Sequence, residues 1–174
     1  MNRLLLWEII GIVFIVFLGS FMHFTYELSG NNAIVGAFSA VNESTWEHLK
    51  LAVFPALLFM LLELKFMPRP KNFFCAKDTS IWLMPLLIIL FFYAYTAVIP
   101  DNFVMDIGIF ILAVVIGQIV GYKMMTSGKD YEKFAKASIA SLVLLALLFV
   151  LFTYYPPQIF LLQDPISGGY GIVG

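Results

Sequence analysis

Five apolar runs divide this chain, at residues 4–23, 45–65, 80–99, 103–124 and 134–154, and each is close to the length a helix needs to cross hydrocarbon. About 20 residues rising 1.5 Å apiece cover the roughly 30 Å of a bilayer core. In lipid the backbone polar groups must bond internally, which a helix achieves within a single segment. A membrane barrel would need alternation over about ten residues, and these runs have none. Burial in a soluble core is excluded by composition. The chain is 61% hydrophobic and 12% charged, against about 45–50% and about 25% in soluble domains, and a chain this short must leave much of that surface exposed. The expectation is an all-α integral membrane protein of the cell membrane, with residues 1–174 forming one transmembrane domain of five helices. The first run follows Arg3 as in a signal peptide, but it is too long for an h-region and no A-x-A-like site follows.

Basic residues set the expected orientation. Arg3 precedes the first run, Lys65, Arg69, Lys71 and Lys77 link the second to the third, and Lys123, Lys129, Lys133 and Lys136 surround the last link. Only Lys50 breaks the pattern. The positive-inside rule places the N-terminus in the cytoplasm and the C-terminus outside. A net charge of -1 leaves no basic footprint for nucleic acid. Cys75 is the single cysteine, so neither an internal disulfide nor a CxxC zinc site exists. In the links, "PRPKNFFCAKDTS" offers Asp78, Thr79 or Ser80 as a helix cap. Gly117 and Gly121 give a GxxxG spacing that admits a neighbouring backbone. Pro55 and Pro85 remove helix donors.

Under this topology the polar residues gather at the outer side. His23 and Glu27 are four apart and share a helix face, as do Glu43 and Glu47, with His48 turned about 100° from Glu47. Asp106 lies a full turn inside its helix, where a charge costs about 2.5–3.5 kcal/mol and requires a partner; His23 or His48 is the expected one. Two imidazoles and several carboxylates at one depth suit a divalent ion such as zinc, manganese or iron, with His23, Glu43, Glu47, His48 and Asp106 as candidate ligands. The same groups, with Glu27, can instead serve as acid–base residues.

Plainer roles compete. "STWE" is a capping box in which Ser44 caps the second helix and Glu47 reaches back, and Glu47 also suits an i,i+3 pair with Lys50. Asp101 caps the fourth helix. Glu8 and Glu63 can pair with basic residues at the cytoplasmic end, and Gln118 with a neighbouring helix. After Tyr154 and Tyr155, Pro156 and Pro157 stop the last helix. The tail then carries Ile159, Phe160, Leu161 and Leu162 before the turns of "DPISGGYG". It is expected to fold back over the outer mouth as a lid, bringing Asp164 or Tyr170 toward the cluster.

At "HFTYELSGNN", "AVNESTWEHLKL" and "YYPPQIFLLQDPISGGYGI" the chain resembles a family of small multipass membrane proteins of bacteria and archaea, a domain of unknown function. The resemblance spans nearly the whole chain and implies a prokaryotic multipass membrane protein, but supplies no activity. The His23-x-x-x-Glu27 spacing followed by a glutamate-bearing helix is also similar to emopamil-binding-protein-type sterol isomerases. That likeness implies proton transfer in a membrane cavity; the charged "NESTWEH" segment and the outer tail depart from it.

Three function classes follow. One is a membrane enzyme with an outward-facing His/Glu/Asp site, metal-dependent or acid–base, acting on a lipid or amphiphile. Another is a transporter or ion-binding protein that uses the acidic cluster for ion access, with homodimerisation supplying the symmetry that five helices lack. The third is a non-catalytic accessory or sensor protein.

Overall fold

A computed structural model describes residues 2–172. It contains six α-helices: α1 (Arg3–Leu28), α2 (Ala33–Gly36), α3 (Thr45–Phe66), α4 (Phe73–Thr96), α5 (Phe103–Thr126) and α6 (Ala135–Tyr154). Short 3-10 turns at Glu132–Phe134 and Phe160–Leu162 precede α6 and follow it. Among the described residues extended pairing is limited to one bridge, Gln163 to Tyr170.

Among the described residues four helices are long and apolar enough to cross a membrane: Arg3–Leu28, Phe73–Thr96, Phe103–Thr126 and the run Glu132–Tyr154. Their outward faces are greasy. Phe17 on α1, Leu86 and Leu90 on α4, and Leu144 and Leu147 on α6 stand exposed. Such a surface needs an apolar solvent, and the molecule is an all-helical membrane protein.

The remaining long helix, α3, differs in charge rather than length. Its 22 residues extend about 33 Å, but they include Glu47, Lys50, Glu63 and Lys65. It also lies deepest, packed against α1, α4 and α6. Leu49, Ala52, Val53, Ala56 and Phe59 on α3 join Ile15, Met84, Val114 and Phe149 from its neighbours in one core. Small residues set the spacing. A methyl on Gly19 would stand 2.2 Å from the Leu51 carbonyl oxygen, so α1 and α3 are in backbone contact there. Gly117 meets Met84 and the Ser80 carbonyl, which puts the GxxxG face of α5 against α4.

Several boundaries differ from expectation. α1 runs to Leu28 rather than residue 23, carrying Glu27 with it. α4 begins at Phe73, not residue 80, so Asp78, Thr79 and Ser80 lie inside the helix and cap nothing. Asn72 takes their place with a left-handed backbone. Its side chain accepts from Tyr131 N–H and donates to the Met124 and Lys129 carbonyls, pinning the α5–α6 link. Cys75 is therefore buried in a helix rather than in a loop, its thiol donating to the Tyr131 carbonyl. Pro55 and Pro85 sit inside α3 and α4 without ending either helix.

Beyond α6 the tail doubles back. Leu162 is buried, Ile172 N–H donates to the Thr153 carbonyl, and Asn42 Nδ2 donates to the Gly171 carbonyl at 2.8 Å. Gly171 has φ +61°, and a methyl there would stand 2.5 Å from the Thr153 carbonyl. The expected tail extends to residue 174; Val173 and Gly174 lie outside the described residues.

Candidate functional site

The site forms where the last turns of α1 meet the first turn of α3. Ser44 caps α3 by accepting from Glu47 N–H, and its own N–H donates to Asn42 Oδ1. Glu47 does not reach back to Ser44 as a full capping box would. Its Oε2 instead takes the Val41 N–H at 3.1 Å. Three anchors thus hold the loop: Val41 on Glu47, Asn42 on Gly171, and Ser44 at the helix start. Glu43 projects from the middle of it, half exposed.

His48, in the first turn of α3, places Nδ1 2.9 Å from the Ser44 carbonyl oxygen. Nδ1 is the donor there, which fixes the ring and turns Nε2 outward. His23 Nε2 meets it at 3.1 Å. Glu43 Oε2 lies 3.4 Å from His48 Nε2 and 3.9 Å from His23 Nε2. All three ligand atoms fall within 4.8 Å of one another. The side chains are 30%, 32% and 45% exposed for His23, His48 and Glu43, so the triad opens to the surroundings.

These distances fit a cation. A point equidistant from the three atoms, in their plane, is about 2.0 Å from each, against about 2.0–2.2 Å for zinc–nitrogen and zinc–carboxylate bonds. The Ser44 carbonyl that fixes His48 is the backbone partner a ligating histidine ordinarily has. Without a cation, a proton must join the groups. With Nδ1–H committed to Ser44, His48 can donate to Glu43 or His23 only as imidazolium. The hydrogen bond from His48 holds the Glu43 carboxyl below its ordinary range, against the opposing effect of partial burial.

Other expected members go elsewhere. Glu47 is buried against Lys50, with Oε2 2.5 Å from Nζ, and accepts from Thr153 Oγ1 at 3.3 Å. Lys50 Nζ also donates to the Gly36 carbonyl at 2.8 Å and to Thr153 Oγ1 at 2.9 Å. This buried lock ties α3 to α6 and to the end of α2. Glu27 is exposed at the end of α1 and makes no bond to the triad. Asp106 takes its partner from Tyr95, whose hydroxyl lies 2.5 Å from Asp106 Oδ1 and 2.8 Å from Asp101 Oδ1, rather than from either histidine. Asp101 therefore joins Tyr95, and Asn102 is the residue that caps α5.

Asp164 comes close to the Glu43 backbone. Burial raises its pKa, but Ser167 Oγ and the Ile166 and Ser167 N–H groups outweigh that and hold the carboxyl below its ordinary value. Tyr170 pairs through its backbone with Gln163. The positioning residues Thr153 and Tyr95 carry no sequence signal of their own, whereas Asn42 reads as an alternative cap of the second helix and instead accepts from the Ser44 N–H. Lys50 did carry one, as the single basic residue out of place.

The groove between α1 and the α2 segment, lined by Phe21, Met22, Thr25, Ile34 and Phe38, lies on the face of α1 turned away from His23 by helical periodicity.

Residues 1–172 match the model of a family of unknown function (DUF6512), and the chain belongs to that family. No curated protein and no solved structure matches it, so the likeness to sterol isomerases stays with the two short features that prompted it.

Proposed function

We propose that this DUF6512 member is a five-span cell-membrane protein carrying a divalent-metal site at its outer rim, with His23, His48 and Glu43 as ligands. α3 completes the five spans. Its length suffices, and its intramembrane charges Glu47, Lys50 and Glu63 are buried and paired within the bundle, the condition under which lipid tolerates them. Lys77 is now inside α4, yet Arg3, Lys65, Arg69, Lys71, Lys123, Lys129, Lys133 and Lys136 still cluster at the end opposite the triad. The positive-inside rule makes that end cytoplasmic.

The observation carrying the metal reading is the His–His–Glu triangle, whose dimensions match first-row metal bonds. Three protein ligands with the fourth direction open is the arrangement of catalytic rather than structural zinc. We assign the site to a metal-dependent enzyme acting on the polar part of a lipid or other amphiphile, reached from the water side because the triad is exposed there. A bound cation would supply Lewis acidity or an activated water. The chain's own part is to fix His48 through Ser44 and to hold Glu43 on its anchored loop.

Ion transport is the second reading, favoured by a charged cluster at the opposite end of the bundle. The layer between the two ends is apolar, built by Ile15, Val53, Ala56, Phe59 and Val114, which weighs against a continuous polar path.

Elemental analysis of detergent-purified protein tests the proposal. About one zinc, manganese or iron per chain is expected, falling below a tenth of that in His48→Ala or His23→Ala. A metal-free wild type that elutes as a folded species overturns the metal reading and leaves an accessory role.

A further inference from the structure

We propose that Glu8 and Glu63 share one exchangeable proton beside Lys77, making a proton-binding site at the cytoplasmic end, separate from the metal triad. Lys77 Nζ lies 2.8 Å from Glu8 Oε1 and 2.8 Å from Glu63 Oε2. The three side chains come from α1, α3 and α4, and none is more than 3% exposed. Two carboxylates face a single ammonium, so full ionisation would leave one uncompensated negative charge among buried side chains. Burying such a charge is costly enough that a group takes up a proton instead.

The unpartnered atoms point the same way. Glu8 Oε2 and Glu63 Oε1 are buried without a hydrogen-bond partner, and Glu63 Oε2 has only its contact with Lys77. The two oxygens that contact Nζ are held within about 5.6 Å of each other by their common neighbour, the range in which like-charged carboxylates cannot both stay ionised cheaply. A proton on one carboxyl gives the orphaned oxygens a donor and makes the triad neutral overall.

The surrounding groups cannot cancel the charge instead. α5 contributes Gln118, whose Nε2 approaches the Glu8 carbonyl at 3.5 Å and whose Oε1 accepts from Ser80 Oγ at 3.4 Å. α4 adds Ser80 and the Phe73 ring, 5.9 Å from Nζ. The only charged residue of α6, Lys136, is exposed. Among the described residues Glu8 and Glu63 have no cationic partner other than Lys77. A site of this kind, with one ammonium between two acids on three helices, can load and release a proton without moving backbone.

Infrared spectroscopy of the full chain in lipid at pH 7 tests this. The wild type should show the carbonyl stretch of a neutral carboxylic acid, shifted in D2O because the proton exchanges. Glu8→Gln and Glu63→Gln keep shape and leave one carboxylate per ammonium, so each should lose the band. Lys77→Met should increase it about twofold, because the second carboxyl then takes up its own proton. Absence of the band from the wild type overturns the proposal, as it would if a bound sodium ion held both carboxylates charged. Persistence of the band in either Gln variant overturns the shared proton. Should the Gln variants fail to fold, the wild-type band and its response in Lys77→Met decide. None of these readouts depends on metal at the triad.

Discussion

Lys50→Met is the most exacting test of how the site is held. Lys50 is fully buried and touches Glu47 at 2.5 Å, the Gly36 carbonyl at 2.8 Å and Thr153 Oγ1 at 2.9 Å. Methionine matches the stem but removes the ammonium. Glu47 then keeps only the Val41 N–H and the Thr153 hydroxyl, and the Gly36 carbonyl loses this donor. Breaking a buried pair from one side costs about 3–5 kcal/mol, because the other charge stays behind. In a chain of this size each kcal/mol moves the melting temperature by about 2–4 °C, so the variant should melt roughly 6–20 °C lower. Thermal unfolding in detergent, followed by intrinsic fluorescence, gives the number. Glu47→Gln/Lys50→Met should recover most of the loss, since a neutral amide can still accept from Val41. Because Glu47 anchors the Glu43 loop, the single variant should also bind metal about 10–100-fold more weakly. A single variant within about 1 kcal/mol of wild type, or a double variant no better than the single, would refute the reasoning.

Two further predictions concern packing and pH. Gly19→Ala places a methyl 2.2 Å from the Leu51 carbonyl and should cost at least the roughly 1–3 kcal/mol of an overpacked contact. Gly108→Ala, with open space around it, should cost nothing measurable; equal melting of the two variants would be the contrary result. Glu43 has a folded pKa below its ordinary 4.5, so its contribution to stability is present above that value and is lost as pH falls through the lower folded value. Glu43→Gln should flatten this acid limb in metal-free protein, leaving the melting temperature less sensitive to pH below about 4.5 than in wild type.

What the sequence disclosed follows from which forces are local. Apolar runs of bilayer length announced the long helices, because hydrophobicity and length act within a segment. Their ends were harder to place. α1 carries Glu27 past the apolar run, and α4 begins seven residues early, after an Asn72 held by the α5–α6 link, while Lys77 inside it finds its counter-charges on α1 and α3; no local rule foresees such long-range partners. Of the cluster, His23, His48 and Glu43 converge, whereas Glu47 and Asp106 are taken by Lys50 and Tyr95. Spacing put Glu43 and Glu47 on one face, but Glu43 lies in the loop before α3, outside helical periodicity. Choosing between rival partners for a carboxylate requires knowing which helices touch.

The partition of charge between α3 and α4 has a consequence for biosynthesis. Glu63 emerges from the ribosome before Lys77, so an α3 that spans as proposed would reach the translocon before the cation that pairs Glu63 in the finished fold. An unpaired acid inside a span carries an insertion cost, about 2.5–3.5 kcal/mol at a helix centre and less toward the end, where Glu63 lies. On that topology, entering lipid as a hairpin with α4 would remove that penalty, and Glu8 on α1 would supply the dock. The proposed span that lies deepest in the finished molecule would thus be one whose commitment to the bilayer waits on its successor.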